Sequence, residues 1–328
     1  MLKKSLLNIY SDFIRTHPKP PRNIFSKFRN IPDDKIPDLK RLIVQNLLIP
    51  LSKNYPETTE GKNDILTHVD GRLSHFRNFY IPWINSVKEI NGKKILEIGC
   101  GTGSSTQALA EQGGIVHGID VDEKAIEIAK YRISNCGLVA TFELENAIDL
   151  SDGTSAQEYD MILFFASLEH MTISERIKSL ETAYSLLKKD GVLFILEAPN
   201  RLWFHDMHTS FLPFYFWLPD DLAISYSVKS ERKLFKESIN KKTSSIELAR
   251  WGRGVSYHEF ELAGIPEIDL KKCTSVFDFH MKKEPFIKMA YRLNLNFKYK
   301  KIIRKIAPSY ISNAFLEPFL DLAITKND

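Results

Sequence analysis

The hydrophobic rhythm of the chain changes twice. Over residues 1–90, apolar positions recur at helical spacing between polar breaks. "DLKRLIVQNLLIPLS" predicts a helix ending near Pro50, and "HFRNFYIPWINSVKEI" (75–90) predicts another, entered or kinked at Pro82. From 93 to 200, short apolar runs alternate with helical patterns. "KKILEIG", "IVHGID", "ATFELEN", "YDMILFFAS" and "GVLFILEAPN" are strand-like, whereas "SSTQALAEQG", "DEKAIEIAKYRISNCG" and "SERIKSLETAYSLLKKDG" are helical and end at glycines. That alternation predicts βαβ units, hence a doubly wound α/β fold with a mostly parallel sheet and helices on both faces. Residues 201–328 lose the rhythm. They hold an aromatic, proline-containing loop (201–220), the stretch "ARWGRGVSYHEF" (249–260), a candidate late strand "EIDLKKC" (267–273) and a basic tail. The expected division is a helical extension or lid (1–90), a core (91–200), and the end of the sheet with a substrate loop and a basic appendage (201–328).

Composition narrows the class. The chain has 328 residues, 43% hydrophobic and 26% charged, which is ordinary for a globular protein with ample core. A net charge of +4 is too small to suggest a nucleic-acid partner. Cys100, Cys136 and Cys273 match no zinc or disulfide framework, so a reduced, cytoplasmic setting is expected. "MLKKSLLNIYSDFIR" reads as an amphipathic helix rather than a signal peptide. No stretch reaches the roughly 20 apolar residues of a membrane span.

Candidate chemistry concentrates in "ILEIGCGTGSS" (95–105). Gly99, Gly101 and Gly103 follow a strand, where bare backbone lets a ligand approach closely. The spacing departs from G-x-G-x-x-G, because Ser104 stands at the final glycine position. Glu97, two residues before the loop, would repel a pyrophosphate and suits an ammonium group. Asp120 ends the second strand, where a carboxylate can accept from ribose hydroxyls. Ribose, amine and no phosphate together describe S-adenosylmethionine.

On "ILEIGCGTG" (95–103), "VHGIDVD" (116–122), "FELENAIDL" (142–150), "YDMILFFASLEH" (159–170) and "LLKKDGVLFILEAPN" (186–200), the chain resembles the class I S-adenosylmethionine-dependent methyltransferases. The resemblance implies a seven-stranded sheet with residues 91–200 as the cofactor-binding core. It implies that Gly99, Cys100, Gly101 and Gly103 line the methionine and ribose, with Glu97 near the ammonium. Asp120 would hold the ribose and Val121 would pack on the adenine. Asn146 and Ala147 stand where the family usually has Asp-Ala; a carboxamide oxygen still accepts from the adenine amino group. Phe165 and Ala166 would border the sulfonium. Cys100 reads as a small loop residue rather than a nucleophile.

The acceptor is less legible. His170, His205 and His208 are candidate bases, with Glu169 and Asp206 as orienters, and His170 and His208 lead. No metal is expected; the grouping His205, Asp206, His208 is too slight to count as a ligand set. "FLPFYFWLP" (211–219) can be pocket wall, core or a membrane-dipping loop. Between 282 and 305 stand nine Lys/Arg and one acid, interleaved with Phe286, Met289, Tyr291, Phe297 and Tyr299. That stretch is a solvated basic face, or a contact with anionic lipid that would place the protein peripherally on the inner side of a membrane. The leading reading is methyl transfer to an oxygen of a small-molecule, sugar or lipid-like acceptor. A non-catalytic cofactor-binding module and an RNA or protein methyltransferase are the competing readings.

Overall fold

The computed structural model describes residues 28–150, 158–283 and 295–327. The predicted N-terminal amphipathic helix lies outside them, as does much of the basic stretch. Seven strands are hydrogen-bonded in the order β3-β2-β1-β4-β5-β7-β6. They are β1 (Lys94–Ile98), β2 (Ile115–Asp120), β3 (Thr141–Leu144), β4 (Tyr159–Phe165), β5 (Leu187–Pro199), β6 (Thr274–Ser275) and β7 (Phe319–Thr325). The chain divides into two compact units, Met1–Asn146 and Ala147–Asp328.

In the first unit β1, β2 and β3 pair in parallel, with Ile98 opposite Ile119 and Asp120 opposite Leu144. Ile95, Leu96, Glu97 and Ile98 are all buried, the near-continuous burial expected of a strand covered on both faces. Helices Ser104–Glu111 and Glu123–Asn135 follow β1 and β2. Asp122 caps the second, accepting from the Lys124 amide at 2.9 Å. The N-terminal part is helical as expected: Ile36–Ile43, then an almost unbroken run from Thr59 to Val87 interrupted by wider π-type turns at Thr67–Gly71 and Phe76–Tyr80. Pro82 sits just after the π-type turn Phe76–Tyr80, at the second residue of helix Ile81–Val87. This run buries Phe76, Phe79, Tyr80, Trp83 and Ile84. Each such side chain contributes roughly 1.5–3 kcal/mol.

In the second unit β4 and β5 are parallel, while β7 runs antiparallel to both β5 and β6. Two expectations need correction here. The helix over 174–191 ends at Leu186, and β5 begins at Leu187. Register with β4 slips between Leu187 and Val192, so 188–191 bulge out, with Asp190 at φ 59°. Residues 267–273 are not a strand. Glu267–Lys272 is a helix after Pro266, with acids in its first turn and lysines in its last, matching the helix dipole, and the strand is only Thr274–Ser275. The aromatic run divides between inside and outside. Leu212, Tyr215 and Phe216 enter a core with Phe235 and Leu248. Phe211, Phe214 and Trp217 remain on the surface.

Candidate functional site

The glycine loop turns on β1 and β2. The amides of Gly99 and Cys100 both donate to the Ile119 carbonyl, at 2.9 and 3.0 Å. Gly99, Gly101 and Gly103 all adopt positive φ (76°, 50° and 73°). At Gly103 a side chain is also excluded by space. A Cβ there would stand 2.9 Å from the Ala129 Cβ, so helix Ser104–Glu111 begins in close contact with helix Glu123–Asn135.

Two carboxylates bracket this loop. Glu97 is fully buried and accepts from the hydroxyls of Ser105 and Thr106 in the first turn of the helix. Burial pushes its carboxyl up to about 7; the two hydroxyls oppose the shift and the nearby Asp120 charge adds to it. Asp120 Oδ2 accepts from the Gly101 amide at 2.7 Å, and Oδ1 accepts from the Asp122 amide at 2.9 Å. Burial raises its pKa as well, against those amide bonds. Setting a part-buried acid where its charge acts on a fully buried one is costly until a cation joins them. Val121, beside Asp120, is 69% exposed and offers an apolar surface to a flat ring. Cys100 is buried, and burial and both acids push its thiol far up, so it is no nucleophile. Asn146 is half-buried at the end of this unit.

Arg132 ties the loop to the helical extension. Fully buried, it donates to the carbonyls of Thr102 (2.9 Å), Val69 (3.1 Å) and His68 (2.5 Å), and to Gln107 Oε1 (3.4 Å). Burial lowers its pKa to about 10. His68, between Arg72 and Arg132, is held down to about 3 by burial and those charges, so its ring is neutral. A second buried arginine, Arg77, forks onto Glu111 at the other end of helix Ser104–Glu111. The extension is therefore bolted to both ends of the helix that begins at the glycine loop.

The second unit holds the other candidates. Ala147 and Phe165 are buried, and Ala166 follows β4 at φ 49°. Next comes a single 3-10 turn, Leu168–His170, locked by Arg176. That guanidinium, 1% exposed, donates to the carbonyls of Leu168, Glu169, Met171, Arg253 and Gly254 at 2.8–3.0 Å, and pairs with Glu259. His170 Nδ1 lies 2.9 Å from the Arg250 carbonyl, and Arg250 itself grips Glu175, holding that carboxyl down to about 2.

His208 sits in a loop fastened by Asp206. The buried Asp206 carboxylate accepts from the amides of His208, Thr209 and Ser210 and from the Ser210 hydroxyl. Asp206 thus orients His208 through the backbone. The set His205, Asp206, His208 is not a ligand cluster, and His205 bridges to Pro213 instead. The residues the fold does assemble are Glu169, His170 and His208. His170 and His208 Nε2 lie 3.7 and 3.5 Å from Glu169 Oε1, and the rings are 5.5 Å apart. Sequence reasoning had both histidines but missed Arg132, Arg176 and Thr209. Nothing local marks an arginine whose partners are carbonyls tens of residues away.

Three kinds of similarity accompany this geometry. The family model described as "Methyltransferase domain" matches residues 95–191. The ubiquinone biosynthesis O-methyltransferase of Haemophilus ducreyi is 35% identical over 113 residues, covering 34% of this chain and 47% of the relative. Its counterpart from Thiobacillus denitrificans is 34% identical over 121 residues, 37% of this chain and 50% of the relative. The chain spans about half the length of the curated relatives it matches. A solved S-adenosylmethionine-dependent methyltransferase from Methanosarcina mazei shares 28% identity at a TM-score of 0.33, over 36% of this chain and 58% of that one. Another, from Clostridium acetobutylicum, shares 16% at a TM-score of 0.36, over 43% and 58%.

Proposed function

We propose, on the match of residues 95–191 to a methyltransferase domain, that this protein transfers a methyl group from S-adenosylmethionine to an oxygen of a small-molecule acceptor. The observation carrying the cofactor assignment is the pair of carboxylates, buried Glu97 and part-buried Asp120, on either side of a glycine loop, held there by two hydroxyls and two backbone amides. A cationic, phosphate-free nucleoside balances that charge, and a diphosphate would worsen it.

In this reading Glu97 faces the ammonium and Gly99, Cys100, Gly101 and Gly103 line the methionine and ribose. Asp120 takes the ribose hydroxyls, Val121 meets the adenine face and Asn146 accepts from the adenine amino group. Ala147 and Phe165 are assigned to the cofactor on the resemblance alone. Transfer breaks the sulfonium S–CH3 bond and forms O–CH3, and the acceptor's proton must leave. His170 and His208 are our candidates to receive it. The O-methyltransferase relatives favour oxygen as the methylated atom.

Calorimetry with S-adenosylhomocysteine tests the assignment. Binding at micromolar concentrations is expected, and Asp120→Ala should weaken it by one to two charge-assisted hydrogen bonds, roughly 1.5–3 kcal/mol each. No heat at high micromolar ligand refutes the reading. Turnover of radiolabelled cofactor separates an enzyme from a binding module.

The acceptor class we favour is lipid-like or sugar-bearing, with peripheral membrane contact. Among the described residues, no helix is long and apolar enough to cross a membrane. Helix Leu295–Ile306 instead turns Tyr299 and Ile303 inward, Tyr299 packing on Trp203 and Phe204, and leaves Lys298, Lys301, Lys305, Ile302 and Ile306 exposed. Lysines beside exposed isoleucines suit an anionic headgroup layer. Sedimentation with anionic vesicles, lost in a Lys298/Lys301/Lys305→Glu variant, would support this; equal sedimentation of the variant would refute it.

A further inference from the structure

We propose that Glu169, His170 and His208 form a site for one divalent transition-metal ion of the zinc, cobalt, manganese or iron(II) class, with coordination positions left open. The inference rests on the second unit alone and does not depend on the methyl-transfer reading; it replaces the proton-accepting role given to the two histidines above, because an Nε2 that binds an ion cannot also take a proton.

Spacing comes first. One ligand atom from each residue lies within 4.8 Å of the others. The two Nε2–Oε1 separations, 3.7 and 3.5 Å, are too long for hydrogen bonds. Two ligands held about 2.1 Å from an ion at a tetrahedral angle stand about 3.4 Å apart.

The outer contacts fix the ring tautomers. The Arg250 carbonyl can only accept, so His170 Nδ1 carries the hydrogen and Nε2 the lone pair in the neutral ring. Thr209 Oγ1 gives its own hydrogen to the Gly252 carbonyl at 2.9 Å, so it accepts from His208 Nδ1 at 3.1 Å. His208 Nε2 then carries the lone pair as well. Imidazoles that bind metal through Nε2 are held in this way, Nδ1–H on a protein oxygen. Gly252 makes room for the arrangement: at φ 111°, a Cβ there would come within 2.7 Å of Thr209 Oγ1 and 3.0 Å of His208 Nδ1.

Rigidity completes the site. Arg176 locks the turn carrying Glu169 and His170, and Asp206 locks the loop carrying His208. Two imidazoles and one carboxylate favour borderline transition ions over the all-oxygen shells of calcium or magnesium. An ion there accepts an oxygen in its open positions and lowers that oxygen's pKa.

The full-length protein, stripped with EDTA, is titrated with Co2+ and followed by visible absorption, then challenged with Zn2+. The expected result is one equivalent of cobalt with tetrahedral or five-coordinate d–d bands, displaced stoichiometrically by zinc. His170→Gln and His208→Gln should each lose the bands while far-UV dichroism is retained. Thr209→Val should weaken binding about 10–100-fold, since it removes the oxygen that orients His208 while leaving all three ligands in place; this variant and the surface-accessible His170→Gln carry the test if His208→Gln does not fold. No saturable cobalt or zinc up to millimolar, or bands that survive in both histidine variants, overturns the proposal and leaves Glu169 paired with protonated imidazole instead.

Discussion

Replacing Arg132 by methionine keeps the aliphatic bulk and removes every donor that joins the glycine loop to the helical extension. Three backbone carbonyls, Thr102, Val69 and His68, lose a charged donor, and Gln107 loses a weaker one at 3.4 Å. A buried carbonyl left unpaired costs about 1–3 kcal/mol. Thr102 is only 6% exposed and takes the upper part of that range. His68 and Val69 are half-buried, so water can reach their carbonyls and each takes the lower part. The sum is roughly 3–5 kcal/mol. Against it stands relief from burying a guanidinium whose pKa burial draws down to about 10. The net loss expected is about 2–4 kcal/mol, a large share of the 5–15 kcal/mol typical of a domain. Urea unfolding followed by far-UV dichroism should show a lower midpoint at constant slope. Affinity for S-adenosylhomocysteine should fall with it, because Thr102 lies inside the loop. Arg132→Lys should fall between. A loss below about 1 kcal/mol at unchanged slope would mean that water replaces the arginine without cost, and the coupling argued here would be wrong.

Glu97 sets a pH dependence with a definite sign. Its folded pKa, about 7, lies above the ordinary 4.5, so its contribution is fully present below pH 4.5 and is lost as pH rises through 7, a change of about 3 kcal/mol that Glu97→Gln should abolish. Identical stability profiles for the two proteins between pH 4.5 and 7.5 would refute this. If the cofactor's ammonium docks beside Glu97, binding near pH 6.5 should release protons, read by calorimetry in two buffers of different ionisation enthalpy; buffer-independent heats count against that placement. Asp206→Ala orphans three amides and a hydroxyl and should cost about 2–4 kcal/mol, with faster proteolysis between 205 and 213. Cleavage unchanged from the parent would show that the loop holds without it. Gly103→Ala, with a Cβ 2.9 Å from that of Ala129, should destabilise the fold more than Gly101→Ala, where no protein atom stands near and only the φ of 50° resists. Equal effects would mean that the helix contact does not matter.

The order of elements was legible from the chain alone because period and punctuation are local properties. Apolar runs at "KKILEIG" and "IVHGID", glycines closing the helices, and acids placed two residues before the loop and at the next strand's end all lie within a few tens of residues of one another. Local pattern failed where long-range pairing competed with it. "EIDLKKC" alternates like a strand, yet Pro266 and its charge order favour a helix, and the edge strand that pairs with β7 is only Thr274–Ser275 just beyond it. "LLKKDG" continues a helical pattern, yet Leu187 is drawn into register with Tyr159. Which polar side chains would be buried, and against what, was not written in any neighbourhood. Arg132 finds carbonyls 30 to 64 residues away, Arg176 gathers carbonyls up to 78 away, and His208 meets Glu169 from a distant loop of the chain. A side chain's partners in a buried network follow from which loops the sheet brings together, and chain order alone does not specify that.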